Sequence, residues 1–154
     1  MLGIVGVAGT FGPLHKGHKI LLRKAFEVGE HVLVALTTES MLQRKEVKGK
    51  IPPYEIRKHN LEQFLNGEGY QGRYKIIPLE DPYGVAITLR EQEGIVVSED
   101  TVKGAEQINQ IRQKKGMKPL EIVTIKLIHA QDGNPISSTR IRKNEIDPNG
   151  NLAK

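Results

Sequence analysis

Short apolar runs rich in β-branched residues alternate along this chain with stretches whose apolar residues recur every three or four positions. That alternation constrains the fold more than any other feature. Residues 2–8 (LGIVGVA), closed by Gly9, read as a strand buried on both faces. From Gly17 the period changes: Leu21, Leu22, Ala25 and Val28 fall at helical spacing, Lys19, Arg23, Lys24 and Glu27 occupy much of the remainder, and Gly29 is the stop. Residues 31–36 (HVLVAL) are a second strand, which completes a βαβ unit with a right-handed crossover. The alternation continues with a helix over 53–66 (Leu61, Phe64 and Leu65 inward), a strand over 74–78 and another over 94–97. A helix over 102–115 follows, with Ala105, Ile108 and Ile111 inward, then a fifth strand over 121–128 and a short last helix that can begin at Ser138. The pattern predicts an α/β fold: a single doubly wound, parallel, five-stranded sheet with helices on both faces, Rossmann-like. One domain is expected over 1–146, with 147–154 a short C-terminal tail, and ligands belong at the carboxyl ends of the strands.

The chain has 154 residues, enough to enclose a core without a disulfide or metal. Cysteine is absent, which removes thiolate catalysis and every cysteine-ligated metal site. No apolar run approaches a membrane span and the start has no secretory pattern, so a soluble cytoplasmic protein is the expectation, with no membrane partner. Lys plus Arg exceed Asp plus Glu by 23 to 18, a formal charge of +5, so an anionic ligand or nucleic acid has to be weighed. Aromatic residues are only 5% and no helix-turn-helix or RNP pattern occurs, which argues against a nucleic-acid partner. The excess is local, because residues 43–50 hold four basic side chains against one acidic and residues 139–143 hold three against none. Two basic loops at strand ends suit small polyanions better than a duplex.

Directly after the first strand comes GTFGPLHKGH, residues 9–18. It has neither Walker nor Gly-x-Gly-x-x-Gly spacing. It offers a hydroxyl, two imidazoles three residues apart, a lysine and a glycine at a helix start, where N–H groups and the dipole attract phosphate. Gly17 lets a ligand approach the backbone, and His15 and His18 point to one side, able to donate to one phosphate chain. A His-x-x-His zinc site is the competing reading, but His31, His59 and His129 sit in no ligand pattern, so no protein-held metal site is expected. Thr10 taken alone also suits a turn or cap.

The stretch resembles the Thr-Phe-x-x-x-His-x-Gly-His signature of the nucleotidylyltransferase superfamily. Gly12 stands where that signature usually has an acidic or other polar residue, a departure that bears on the acceptor pocket. Near the carboxyl end, Ile136-Ser137-Ser138-Thr139-Arg140-Ile141-Arg142 is similar to the superfamily's Ile-Ser-Ser-Thr-x-Ile-Arg sequence. Between them, residues 79–84 (LEDPYG) and 96–101 (VVSEDT) resemble the phosphopantetheine adenylyltransferases of the archaeal type and the matching domain of eukaryotic coenzyme A synthase. Glycerol-3-phosphate cytidylyltransferases, nicotinamide mononucleotide adenylyltransferases and FAD synthetases share the end motifs and stand as alternatives. An aminoacyl-tRNA synthetase is disfavoured, since nothing remains for an anticodon domain.

The resemblance implies a nucleotidylyltransferase fold and attack by the phosphate of 4′-phosphopantetheine on the α-phosphorus of ATP, giving dephospho-coenzyme A and pyrophosphate. A phosphate monoester has its second pKa at about 6, so neither a protein nucleophile nor a general base is required. The work is to align two anions and neutralise charge. By the family pattern His18, Thr10 and Lys45 are catalytic, with Lys48 or Lys50 as substitutes for Lys45. Thr10, Phe11, His15, Gly17, His18, Glu99, Ser137, Ser138, Thr139 and Arg142 would bind nucleotide, with Arg140 and Lys103 as further candidates. Thr10, Lys45 and Arg57 would hold the acceptor. Mg²⁺ would be bound mainly through ATP phosphates. Helix capping is the plainer account of residues 137–139, and an exposed helix-start acid that of Glu99. A monomer or small homo-oligomer is expected.

Overall fold

A computed structural model describes residues 1–42, 51–126 and 148–151. Five strands, β1 (Leu2–Gly9), β2 (Gly29–Thr37), β3 (Tyr74–Leu79), β4 (Gln92–Ser98) and β5 (Glu121–Ile125), form one sheet in the order β3-β2-β1-β4-β5. Every pairing is parallel. The helices are α1 (Lys16–Val28), α2 (Glu39–Leu42), α3 (Tyr54–Gly67) and α4 (Val102–Lys114), with a 3₁₀ turn at Gly84–Ile87. The doubly wound α/β architecture expected from the alternation is therefore present. Its switch point lies between β1 and β4, where a ligand crevice opens at the carboxyl edge.

The strands bury both faces. One core joins Val5, Val7, Val32, Val34, Leu36 and Val96 to Leu22, Ala25 and Phe26 of α1 and Leu61 and Leu65 of α3. The other joins Ile95 and Val97 to Ala105 and Ile108 of α4, to Ala86 and to Leu120. Neighbours along β4 thus alternate between cores, as period-two geometry requires. Register brings Gly9 opposite Leu36, so β1 and β2 end together and Thr10 emerges beside Thr37.

Several local expectations change. Helix α1 begins at Lys16, a residue earlier than expected, because His15 rather than a glycine marks the entry. Gly29 ends α1 in extended rather than left-handed backbone and is already the first residue of β2. It is needed for space, since a Cβ there would lie 2.5 Å from Val5 Cγ2. In α4 the buried face runs Ala105, Ile108, Arg112, with Ile111 only half-buried. Described β5 stops at Ile125, short of the expected end; residues 127 and 128, the helix expected from Ser138 and half of the tail lie outside the described residues. Neither α2 nor the 3₁₀ turn was expected from periodicity, both being a single turn long. The described part of the tail touches α1: the Lys16 N–H donates to the Pro148 carbonyl at 2.8 Å, and Gly150 is buried. No helix among the described residues is long and apolar enough to cross a membrane.

Candidate active site

The loop between β1 and α1 is anchored by Phe11, whose ring is 1% exposed although its backbone sits at φ 50°. A bulky residue in left-handed backbone costs energy and persists only where packing over-determines it. Here the ring presses on Gly9, where a Cβ would come within 3.0 Å of it, and meets His18 edge-on with centroids 4.9 Å apart. Phe11 thus acts as a buried peg of the loop, and its ring supports an imidazole.

The two motif histidines cap α1 reciprocally. His15 is the N-cap and its Nδ1 accepts from the His18 N–H at 3.2 Å, while His18 Nδ1 accepts from the His15 N–H at 3.3 Å. This is a capping box in which imidazoles replace the usual hydroxyl and carboxylate. The rings stack, with centroids 3.6 Å apart and planes 18° from parallel. An accepting Nδ1 places the proton of a neutral imidazole on Nε2, so both rings present Nε2–H donors in the same tautomer. Burial lowers the His15 pKa from 6.5 to about 4, so this ring is neutral at physiological pH. The three-residue spacing, read from the sequence as shared ligand donation, has a second cause: it is the N-cap to N3 spacing of the helix start.

Behind the histidines lies a buried arginine. Arg57, on α3 and fully buried, donates through Nε to the Pro52 carbonyl at 2.8 Å and through Nη1 to the Thr10 carbonyl at 3.1 Å. The same Nη1 reaches Thr37 Oγ1 at 3.3 Å, and Thr37 Oγ1 donates to Thr10 Oγ1 at 3.1 Å. Arg57 Nη2 is buried without a hydrogen-bond partner among the described residues. Burial lowers the Arg57 pKa, an effect opposed by Glu39 and Tyr54; guanidinium nonetheless stays charged. Glu39 also accepts from the Tyr54 N–H at 2.6 Å, tying α2 to the start of α3, and this bond holds its carboxyl below the usual range. Gly12 is explained by the same arginine: a Cβ there would fall 2.6 Å from Arg57 Cδ and 3.1 Å from Cγ. The guanidinium stem occupies the space that a side chain at position 12 would need.

Across the switch point, β4 ends at Ser98, whose hydroxyl donates to Asp100. Glu99 is exposed, and its N–H donates to the Ile125 carbonyl at 3.0 Å. Asp81 closes the 79–84 turn, accepting from the N–H groups of Tyr83 and Gly84 at 2.9 and 2.7 Å, bonds that lower its pKa. A cleft of about 330 Å³ runs from His18 along Gly6, Ala8 and Leu33 to Ser98 and Thr101, with Ala105 and Ile108 of α4 as a wall. Its lining is mostly apolar beside the polar helix start, the composition of a small-molecule site.

Of the sequence candidates, Thr10, Phe11, His15, Gly17, His18 and Arg57 are gathered around one loop; His18 is the one of these that lines the cleft, and Glu99 follows the end of β4 without lining it. Lys45, Ser137, Ser138, Thr139 and Arg142 lie outside the described residues, as do Lys48, Lys50 and Arg140. Sequence reading missed Thr37. Its signal was a hydroxyl at the carboxyl end of a strand adjacent to the motif strand, where doubly wound sheets place their ligands. Among the described residues no three His, Asp or Glu side chains gather as a metal cage. The chemistry presented is donor-rich and fits phosphate oxygens rather than a cation.

This combination of fold, loop and helix start defines a nucleotidylyltransferase, and the chain matches the cytidylyltransferase-like family over residues 7–144. It is 51% identical to a phosphopantetheine adenylyltransferase of Thermococcus gammatolerans, over 97% of this chain and 94% of the relative. It is 47% identical to the phosphopantetheine adenylyltransferase of Pyrococcus abyssi, over 97% of this chain and 95% of that one. The chain belongs to the family of phosphopantetheine adenylyltransferases. Among solved structures, a protein of unknown function from Archaeoglobus fulgidus superposes with a TM-score of 0.70 at 30% identity, covering 81% of this chain and 89% of that one.

Proposed function

We infer that this chain transfers the AMP moiety of ATP to 4′-phosphopantetheine, giving dephospho-coenzyme A and pyrophosphate, a step of coenzyme A biosynthesis. The observation that carries the reading is the reciprocal His15–His18 cap, which aims two Nε2–H donors from the amino terminus of α1. Charge builds on the α-phosphate and on the departing pyrophosphate during transfer, and preorganised donors in a partly dry site stabilise that charge most. In this reading His18 donates to the α-phosphate in the transition state, His15 and Gly17 hold the triphosphate, and Thr10 bonds the reacting phosphates. The mostly apolar cleft beside His18 suits an acceptor with one anionic end and a long uncharged arm. Phe11 acts by shaping the loop, and Arg57 serves the acceptor side from behind Thr10.

Lys45 on the transferred phosphates, Ser137, Ser138, Thr139 and Arg142 on the β- and γ-phosphates, and Glu99 near the nucleotide complete the proposed site. ATP would enter as its magnesium complex, the Mg²⁺ being held mainly through the ATP and supplying neutralisation of part of the phosphate charge. We further propose one catalytic domain over 1–146 with 147–154 as a tail, acting in the cytoplasm as a monomer or small homo-oligomer with no nucleic-acid or membrane partner.

Pyrophosphate release is the test, run with ATP or CTP against 4′-phosphopantetheine, nicotinamide mononucleotide, flavin mononucleotide and glycerol 3-phosphate. Turnover with ATP and 4′-phosphopantetheine is expected. Turnover with another acceptor and none with this one would replace the reading by that of a sister nucleotidylyltransferase.

A further inference from the structure

A hydroxyl is useful to a phosphate only if its proton faces that way. Thr10 Oγ1 accepts from Thr37 Oγ1 at 3.1 Å, and Thr37 Oγ1 accepts from Arg57 Nη1 at 3.3 Å. The first bond has one direction, because a guanidinium has donors and no acceptor, and in the second the Thr37 hydroxyl gives its own single proton to Thr10. Arg57 therefore fills a lone pair of Thr37, the Thr37 proton turns to Thr10, and the Thr10 proton is directed away from Thr37. We propose that Arg57 and Thr37 are positioning residues, which fix the Thr10 hydroxyl as a donor toward the transferred phosphate.

Three features support this. Thr37 is 5% exposed and Arg57 0%, so water does not compete for the relay. Nη1 also holds the Thr10 carbonyl at 3.1 Å, so one nitrogen fixes both the backbone and the hydroxyl orientation of the same residue. Position 12 carries glycine where the Arg57 stem passes within 2.6 Å of an added Cβ, which leaves the stem the room it needs to reach Thr10 and Thr37. A threonine at position 37 that served packing alone would need only its methyl.

The proposal rests on the reading of Thr10 as a phosphate donor, and a double-mutant cycle separates the two. Steady-state pyrophosphate release would be measured for wild type, Thr10→Val, Thr37→Val, Thr37→Ser and the Thr10→Val/Thr37→Val pair, with thermal unfolding of each. Thr37→Val is expected to lower kcat about tenfold with KM for ATP within about twofold, and Thr37→Ser to restore kcat to within about twofold of wild type. Thr37→Val should add no further loss once Thr10 is Val. Multiplicative losses in the pair, or a Thr37→Val protein with lowered thermal stability and wild-type kcat, would overturn the relay and leave Thr10 in place. Wild-type kcat for Thr10→Val would overturn the assignment of Thr10 itself, and the relay with it. Should Thr37→Val not fold, Thr37→Ala enters the same cycle.

Discussion

Two arginines are buried at opposite ends of this sheet, and they are used differently. Arg112, in the last turn of α4, is 1% exposed and sits at the amino end of β4. Its Nε donates to the Lys118 carbonyl at 2.7 Å, Nη1 to Ala86 and Leu89 at 2.7 and 3.1 Å, and Nη2 to Gln92 at 3.3 Å. Every nitrogen is satisfied by a backbone carbonyl that would otherwise be left dry where the 3₁₀ turn and the approaches to β4 and β5 meet. Arg57, at the carboxyl end, also donates to carbonyls but leaves Nη2 without a partner among the described residues. Burial lowers the pKa of both. At one end donor capacity is used up in holding loops together. At the other a remainder stays beside the loop between β1 and α1, proposed to receive phosphate, and leaving a buried donor unpaired costs about 1–3 kcal/mol unless a ligand completes it.

The contrast can be broken by substitution, beginning at the outermost donor of the site end. His18→Ala should lower turnover about 10²- to 10³-fold with a smaller loss of ATP binding, the effect of deleting one transition-state donor. Equal losses in kcat and ATP affinity would show that His18 binds the ground state only. Arg112→Leu should do the reverse, costing about 3 kcal/mol in chemical denaturation by orphaning buried carbonyls, while kcat of the folded protein stays within about twofold. A large kcat effect there would erase the distinction between the two ends.

Acid sharpens the comparison without mutation. His15 titrates at about 4 when folded and 6.5 in its unperturbed form, so the unfolded chain binds its proton first and stability falls as pH drops through that window. From this residue alone the loss is about 2 kcal/mol between pH 7.5 and 5, measurable by denaturant titration and expected to disappear in His15→Asn. Because Nε2 already carries a hydrogen, the added proton goes to Nδ1 and breaks the cap. The smallest effect on turnover is expected from Gly12→Ala, whose Cβ displaces the buried Arg57 stem: about a fivefold fall in kcat, read by the same pyrophosphate assay, together with a lowered unfolding midpoint.

The sheet was legible because strands buried on both faces produce continuous apolar runs, and residues 2–8 and 31–36 are such runs. The loop between β1 and α1 stood out because its residue types are rare in that combination after a first strand. The burial of the arginines was not legible, since a local pattern scores a charged residue as surface; the family resemblance singled out Arg57 as an acceptor-side residue but not as a core one. Arg57 occupies the same helical stripe as Leu61 and Leu65, and Arg112 the stripe of Ala105 and Ile108, yet only tertiary carbonyls make such positions habitable. The reciprocal histidine cap escaped for a related reason: imidazole is uncommon at an N-cap, and the spacing was read for a ligand before it was read for the backbone. Thr37 needed the register of β1 against β2, which no single segment encodes.

One junction has a practical consequence for anyone who would lengthen this chain. Helix α1 passes into β2 with no intervening residue, Val28 being helical and Gly29 already paired in the sheet with Leu2. A residue inserted into α1 would turn the preceding turns by about 100°, swinging His15 and His18 away from the crevice as it carried Leu22 and Ala25 out of the core. The far end of this helix therefore works as the zero mark of a ruler whose other end is the histidine-capped loop. Reporter sequences or loop grafts belong elsewhere, for instance after Gly69 or Gly72, whose positive φ values mark an exposed connection with no atoms within 4 Å of an added Cβ.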